Sequence, residues 1–239
     1  MNKKKIFILA LAVCLIAILS MSTLAWFNAT DSVKNDFMFD DSDGDGTPDF
    51  KVDVYETDKN GNPRPAGKEY PHVAPGAVLP KDPTVKNTGD YDMYTRVVVT
   101  LDNAAAWKAI SDKYSIAADS DLILEKMVEI NAKWVRFDVP VYDSTADTLT
   151  YVYYYSEIVG TEAANNTTES LFTQVTIPTA PQQDDLRFGD DKFSITVKAD
   201  AIQSDNIIAD GATITGNEAY TAFATANWAA GLDYPQPNP

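Results

Sequence analysis

The stretch "MYTRVVVTL", residues 93–101, decides the fold class. In an extended chain Thr95, Val97, Val99 and Leu101 fall on one side, and Tyr94, Arg96, Val98 and Thr100 on the other. Alternation of this kind, built from β-branched and aromatic residues, predicts a strand. The stretch "KFSITVKADAIQS" (192–204) repeats the pattern, with Phe193, Ile195, Val197, Ala199 and Ala201 opposed to Ser194, Thr196, Lys198 and Asp200. Two such strands predict a sheet with one face on a core and the other in water. "FKVDVYET" (50–57), "KWVRFDV" (133–139), "TLTYVYYYS" (148–156) and "LFTQVTIP" (171–178) are further strand candidates.

Two stretches break the alternation. "NAAAWKAISDKY" (103–114) and "SDLILEKMVEINA" (120–132) carry helix formers, with Ser120 and Asp121 in capping positions for the second. "NEAYTAFATANW" (217–228) reads either as a short helix or as a loose final segment. Segments 58–68, 160–169 and 178–191 are dense in Gly, Pro, Asn and Asp and read as loops. The expected fold is mainly all-β, a jelly-roll-type β-sandwich with a helical excursion over about 103–132.

Residues 1–25 read as a cleaved signal peptide. Lys3, Lys4 and Lys5 precede an apolar run from Ile6 to Leu19, and "STLA" supplies small residues for cleavage after Ala25. Cys14 lies inside that run and leaves with it. The expected mature chain is one domain, 26–239, with no cysteine for a disulfide framework. Loss of the three leader lysines takes the formal charge from −16 to −19. Such a surface repels nucleic acid and anionic lipid and favours cations. The final "LDYPQPNP" resembles neither an apolar anchor nor a wall-sorting signal, so no stable membrane anchor is expected after cleavage.

Catalytic chemistry has little to stand on. The only histidine, His72, cannot supply the paired ligands of an H-E-x-x-H zinc site, and no G-x-S-x-G elbow accompanies it. Among 35 acidic residues a carboxylate pair is uninformative. Tyr151, Tyr153, Tyr154 and Tyr155 read as core and cross-strand packing, with a carbohydrate platform as the alternative.

"DDSDGDGTPDF" (40–50) is the remaining motif. Asp41, Asp43 and Asp45 stand at positions one, three and five of an EF-type calcium loop. Gly46 sits at the sharp turn, Thr47 offers a carbonyl, and Asp49 follows at position nine. Position twelve is Val52 rather than the usual Glu, and Pro48 discourages a following helix. The loop reads as a structural calcium site of weak, extracellular type, with a solvated acidic turn as the alternative.

From "HVAPGAVLPKDPTVKNTGDYDMYTRVVVTL" (72–101) the chain resembles the TasA/camelysin family of exported Gram-positive surface proteins. The resemblance recurs in "STLAWF" at 22–27, "YYYS" at 153–156, "LFTQVTIP" at 171–178, and "FSITVKADAIQSDN" at 193–206 with Trp228 beyond it. It implies a jelly-roll sandwich, a leader handled by a dedicated signal peptidase, and secretion to the cell surface or extracellular matrix. The implied role is that of a biofilm-matrix fibre subunit. The family's second label is neutral metalloendopeptidase, against which the lone His72 speaks. A non-catalytic binding module is a third reading.

The mature chain would begin "WFNATDSVKNDFMFD", in which Trp26, Phe27, Val33, Phe37 and Phe39 are interrupted by polar residues. In a monomer this segment can occupy a sheet edge of its own domain or fray. In an assembly it can add as a strand to the next copy. The expected partner is therefore a second copy, head to tail, with other matrix or accessory surface proteins as further candidates.

Overall fold

The computed structural model describes residues 28–32, 35–36, 50–57, 62–64, 70, 73–186, 188, 193–209 and 211–226. They form a mainly β molecule. The strands are β1 (Asn28–Ser32), β2 (Asn35–Asp36), β3 (Val52–Thr57), β4 (Pro63–Arg64), β5 (Val78–Pro80), β6 (Thr84–Asn87) and β7 (Met93–Asp102). After them come β8 (Trp134–Val135), β9 (Val141–Asp143), β10 (Thr148–Tyr155), β11 (Gln174–Thr176) and β12 (Ile195–Gln203). The helices are α1 (Ala104–Tyr114), α2 (Leu124–Met127) and α3 (Glu218–Thr225).

A seven-stranded antiparallel sheet has the order β2-β1-β12-β7-β10-β8, with β9 also on the outer side of β10. Its centre is the pair read first in the sequence: β12 meets β7 from Ile195↔Leu101 to Gln203↔Met93. On the other side of β7, β10 runs from Thr148↔Asp102 to Tyr154↔Arg96.

The second layer is less regular. β3 pairs with β6 and β4, and β5 pairs with β11. Residues 166–171 carry the ladder on beside β6 through Asn87 N to Asn166 O (2.8 Å), Thr168 N to Val85 O (2.9 Å) and Leu171 N to Pro83 O (2.9 Å). The Thr168 hydroxyl accepts from Val85 N (3.0 Å), replacing one backbone acceptor. Phe50, Val52, Val54 and Val85 of this layer share one core with Val97, Val99, Tyr151 and Ala199 of the large sheet. Trp107 of α1 and Leu124 and Met127 of α2 close the same core. Fully burying one such apolar side chain is worth about 1.5–3 kcal/mol.

The face expected to be wet is covered. Tyr94, Arg96 and Val98 of β7, Val152 and Tyr154 of β10, and Asp200 and Ile202 of β12 are all buried. The cover is α3, whose Ala219, Tyr220, Ala222 and Phe223 pack on this face. Asn217 caps the helix, its side-chain oxygen accepting from Tyr220 N at 2.7 Å. The open alternative for 217–228 thus resolves as a helix over 218–225. Alternation told the two faces apart but could not say what would land on the second.

The excursion between β7 and β8 also differs in detail. α1 begins beside Asn103, which lies in the left-handed region (φ 52) without a side-chain cap. Asp147 caps from outside: its carbonyl accepts from Ala104 N (3.1 Å) and its carboxylate from Ala105 N (2.8 Å). The helix expected over 120–132 shrinks to a 3₁₀ turn, Ser120–Leu122, and α2, with Asp119 rather than Ser120 or Asp121 as the cap. Val128 is extended (φ −129, ψ 150). Asn131 N then donates to Leu171 O (2.9 Å), so the chain leaves helical geometry to tie the two layers together.

Candidate assembly edge

β1 completes the large sheet in its own molecule, in register from Asn28↔Ile202 to Ser32↔Lys198. β2 folds back on it through Asp31↔Asp36 and Ser32↔Asn35. The strand beneath is built as an interior strand. Ala199, Asp200, Ala201 and Ile202 of β12 are wholly buried, so both faces of β12 are covered. β3 of the second layer approaches both β1 and β12 within 8 Å between Cα atoms. β1 therefore closes the large sheet where the two layers meet. Without it, the outer backbone groups of Lys198–Ile202 would face solvent beside the core. Each lost backbone hydrogen bond costs about 0.5–1.5 kcal/mol net.

The far edge is finished differently. β9 covers Thr148–Thr150 of β10 and β8 covers Tyr154–Tyr155, while 136–140 bulge between them. Arg136 holds the bulge, with Nε to Glu125 Oε1 (2.7 Å), Nη2 to Glu125 Oε2 (3.3 Å) and Nη1 to Asp138 O (2.7 Å). The same Glu125 oxygen accepts from the Tyr153 hydroxyl (3.1 Å). Burial, and then the Glu125 charge, push the Tyr153 phenol well above its ordinary pKa. A groove of about 500 Å³ opens over this network between Val128–Ile130 and Trp134–Arg136. Within it Glu125, Arg136 and Tyr153 satisfy one another.

The tyrosine ladder is interior. Tyr151, Tyr153, Tyr154 and Tyr155 are all buried, so they form no exposed carbohydrate platform. Tyr151 donates to Asp121 O (2.6 Å) and accepts from Leu124 N (3.3 Å), pinning the helical excursion to β10. Tyr155 accepts from Glu169 N (3.2 Å).

The second face holds what the sequence reading missed. Arg96 Nε donates to Asp200 Oδ2 at 2.9 Å, with both side chains fully buried. The Phe223 ring lies over the guanidinium at 4.4 Å. Tyr154 crosses the same space, its hydroxyl donating to Asp138 Oδ2 (3.2 Å). Burial first, and Asp138 after it, raise the Tyr154 phenol, while the Arg96 charge pulls it back. The available signal was an arginine inside "RVVV" and an aspartate inside "KADAI", at facing positions of two apolar strands.

The expected calcium ligands Asp41, Asp43, Asp45, Thr47 and Asp49 lie outside the described residues, as do Trp26, Phe27, Val33, Phe37, Phe39 and His72. Of the expected assembly segment, the structure places only Asn28–Ser32 and Asn35–Asp36, at the large sheet's edge. No His, Cys, Asp and Glu group of metal-binding size occurs among the described residues, and none of their helices is long and apolar enough to cross a membrane. No family model, curated protein or solved structure matches the chain.

Proposed function

We propose that this protein is a secreted structural subunit of extracellular fibres, of the TasA/camelysin kind, on a jelly-roll-type sandwich released from a cleaved leader. The observation that carries the reading is the pairing of β1 along β12 at the edge of the large sheet. A strand near the start of the mature chain can leave β12 and pair with the β12 of the next copy. The backbone bonds lost and gained are then the same. Donor and acceptor are different surfaces, so the contact need not close and propagates as a filament. Deleting residues 26–35 tests this. The truncated chain should remain a folded monomer, and it should cap wild-type fibres because its β12 edge accepts a donor and offers none. Electron micrographs showing fibres of unchanged morphology from the truncated chain would sink the reading.

Calcium at Asp41, Asp43, Asp45, Thr47 and Asp49 belongs to the same proposal. This loop lies in sequence between Asp36 of β2 and Phe50 before β3, and a cation there would reduce the charge beside the donor segment. Binding to the native state alone raises stability by mass action. Melting in millimolar calcium should therefore exceed melting in chelator, and the difference should vanish in Asp43→Ala/Asp45→Ala. Equal melts for wild type and variant across that range would reduce the loop to a turn.

A further inference from the structure

Seven large apolar side chains stand exposed among the described residues, and four of them gather at the far edge of the large sheet. Val139 is 79% exposed, Val141 43%, Phe137 38% and Ile214 43%. The Ile214 segment lies against the Phe137 ring at Gly216, whose left-handed backbone (φ 75) carries no side chain to obstruct it. An added Cβ there would meet a ring carbon at 2.8 Å. On its inner side Phe137 rests on Tyr154 and Tyr220, with ring centres 6.0 and 4.7 Å away. We infer that this patch docks on the same patch of a second copy about a two-fold axis, and that the contact joins fibres side by side.

Charge selects the occupant. The chain carries a net −16, so two copies repel one another over most of their surface. Segments 139–142 and 211–217, which form the patch with Phe137, hold neither an acid nor a base. Acids beside them are turned to donors of their own chain. Asp138 Oδ2 accepts from the Tyr154 hydroxyl, Asp143 Oδ1 from Thr145 N and Ala146 N, and Glu218 Oε2 from the Tyr94 hydroxyl. The other exposed apolar side chains among the described residues offer no matching surface for a head-to-tail contact. Tyr91 and Ile158 stand beside Asp90, Asp92 and Glu157, and Val78 is a single side chain on β5. Neutral apolar surface therefore meets its equal in a two-fold contact, to which each copy gives the same patch. Pro140 lacks an N–H and β9 is only three residues long, so side-chain burial rather than backbone pairing makes the contact.

Strand exchange leaves the patch open. β1 and β12 lie toward one edge of the large sheet, and the patch lies beyond β10 at the other. Size sets the strength. Four partly exposed side chains per copy fall short of the roughly 1,200–2,000 Å² that a stable complex buries, so one contact alone is weak. A fibre repeats the patch at every subunit, and once one contact forms the next forms at a high effective concentration. Paired fibres then hold where paired single subunits come apart. The joining of fibres rests on the fibre reading, whereas the two-fold contact does not.

The only cysteine is Cys14 in the leader, so the mature chain accepts single cysteines cleanly. Mature Val139→Cys protein at high concentration should give several-fold more oxidised dimer than Gln174→Cys, an exposed position on the second layer. Val139→Glu/Val141→Glu sets carboxylates on both sides of the axis. It should leave the melting temperature close to that of wild type, because both side chains are exposed. In electron micrographs it should give single fibres where wild type gives paired ones, and raised salt should return part of the pairing by screening. A Val139→Cys dimer no more abundant than the Gln174→Cys dimer overturns the contact, and so does unchanged pairing of the glutamate variant. Wild-type fibres that stay single overturn the side-by-side joining. An abundant Val139→Cys dimer from a chain that builds no fibres keeps the contact and discards the fibre reading.

Discussion

On one face of the large sheet, Val97, Val99, Tyr151 and Ala199 meet a second sheet and two helices in a broad apolar core. On the other, Tyr94, Val98, Val152 and Tyr154 lie under the eight-residue helix α3, and the charges of Arg96 and Asp200 are sealed between them. The first face spreads its stability over many replaceable contacts. The second also holds one ion pair whose members depend on each other, so that losing either alone is costly. Burying a charge is tolerable only while its partner stays. The two faces should therefore respond very differently to single substitutions.

The largest expected effect is Arg96→Met. It removes the cation and leaves Asp200 buried without it, at a cost of about 3–5 kcal/mol. The double variant Arg96→Met/Asp200→Leu removes both charges and should recover much of that loss, since an apolar pair of similar volume is often neutral or better. Urea midpoints of wild type, single and double variants measure both steps. A single variant within about 1 kcal/mol of wild type would show that the second face tolerates loss as the first does.

The difference between the faces also marks where the sequence was legible. The strands at 93–101, 192–204 and 148–156 and the helix at 103–114 all follow from local pattern, and the structure has them as β7, β12, β10 and α1; which strands pair does not follow from it. Alternation sorted the side chains of β7 onto two faces but was silent on the cover. What buries Arg96 is a helix that begins more than a hundred residues later, and "EAYTAFAT" does not by itself say where it docks. The excursion shows a second limit. "LILEKMVEI" has helical spacing, yet the chain turns extended at Val128 because Asn131 is held by Leu171 from another layer. At the assembly edge, the expectation that the N-terminal segment can pair within its own sheet is met by β1, while its neighbours Trp26, Phe27 and Phe37 lie outside the described residues. The composition of "KWVRFDV" predicts a strand throughout, whereas only Trp134–Val135 pair there and Val139 stands exposed.

The smallest expected effect sets the buried pair against one at the surface. Lys113 at the end of α1 donates from Nζ to Asp185 Oδ1 (2.7 Å), and Oδ2 accepts from the Tyr114 hydroxyl (2.5 Å) and from Gln182 N (3.0 Å). The Lys113 hydrogen bond first, then Tyr114 and Gln182, lower the Asp185 carboxyl to about 2. A carboxyl whose folded pKa lies below its unfolded value, about 3.9, binds fewer protons folded than unfolded. Its contribution is complete above that unfolded value and is lost as pH falls through the folded one. The window runs from near pH 4 down to near pH 2. Solvent screening keeps the contribution small, unlike that of Arg96 and Asp200. Melting temperatures of wild type and Asp185→Asn should thus differ slightly at neutral pH and converge across that window. Salt should shrink the neutral-pH difference, because Lys113 is exposed and Asp185 only partly covered. A gap that stays constant down to pH 2 would mean that Asp185 acts through its hydrogen-bonding shape and not its charge. The exposed pair would then teach nothing about the buried one.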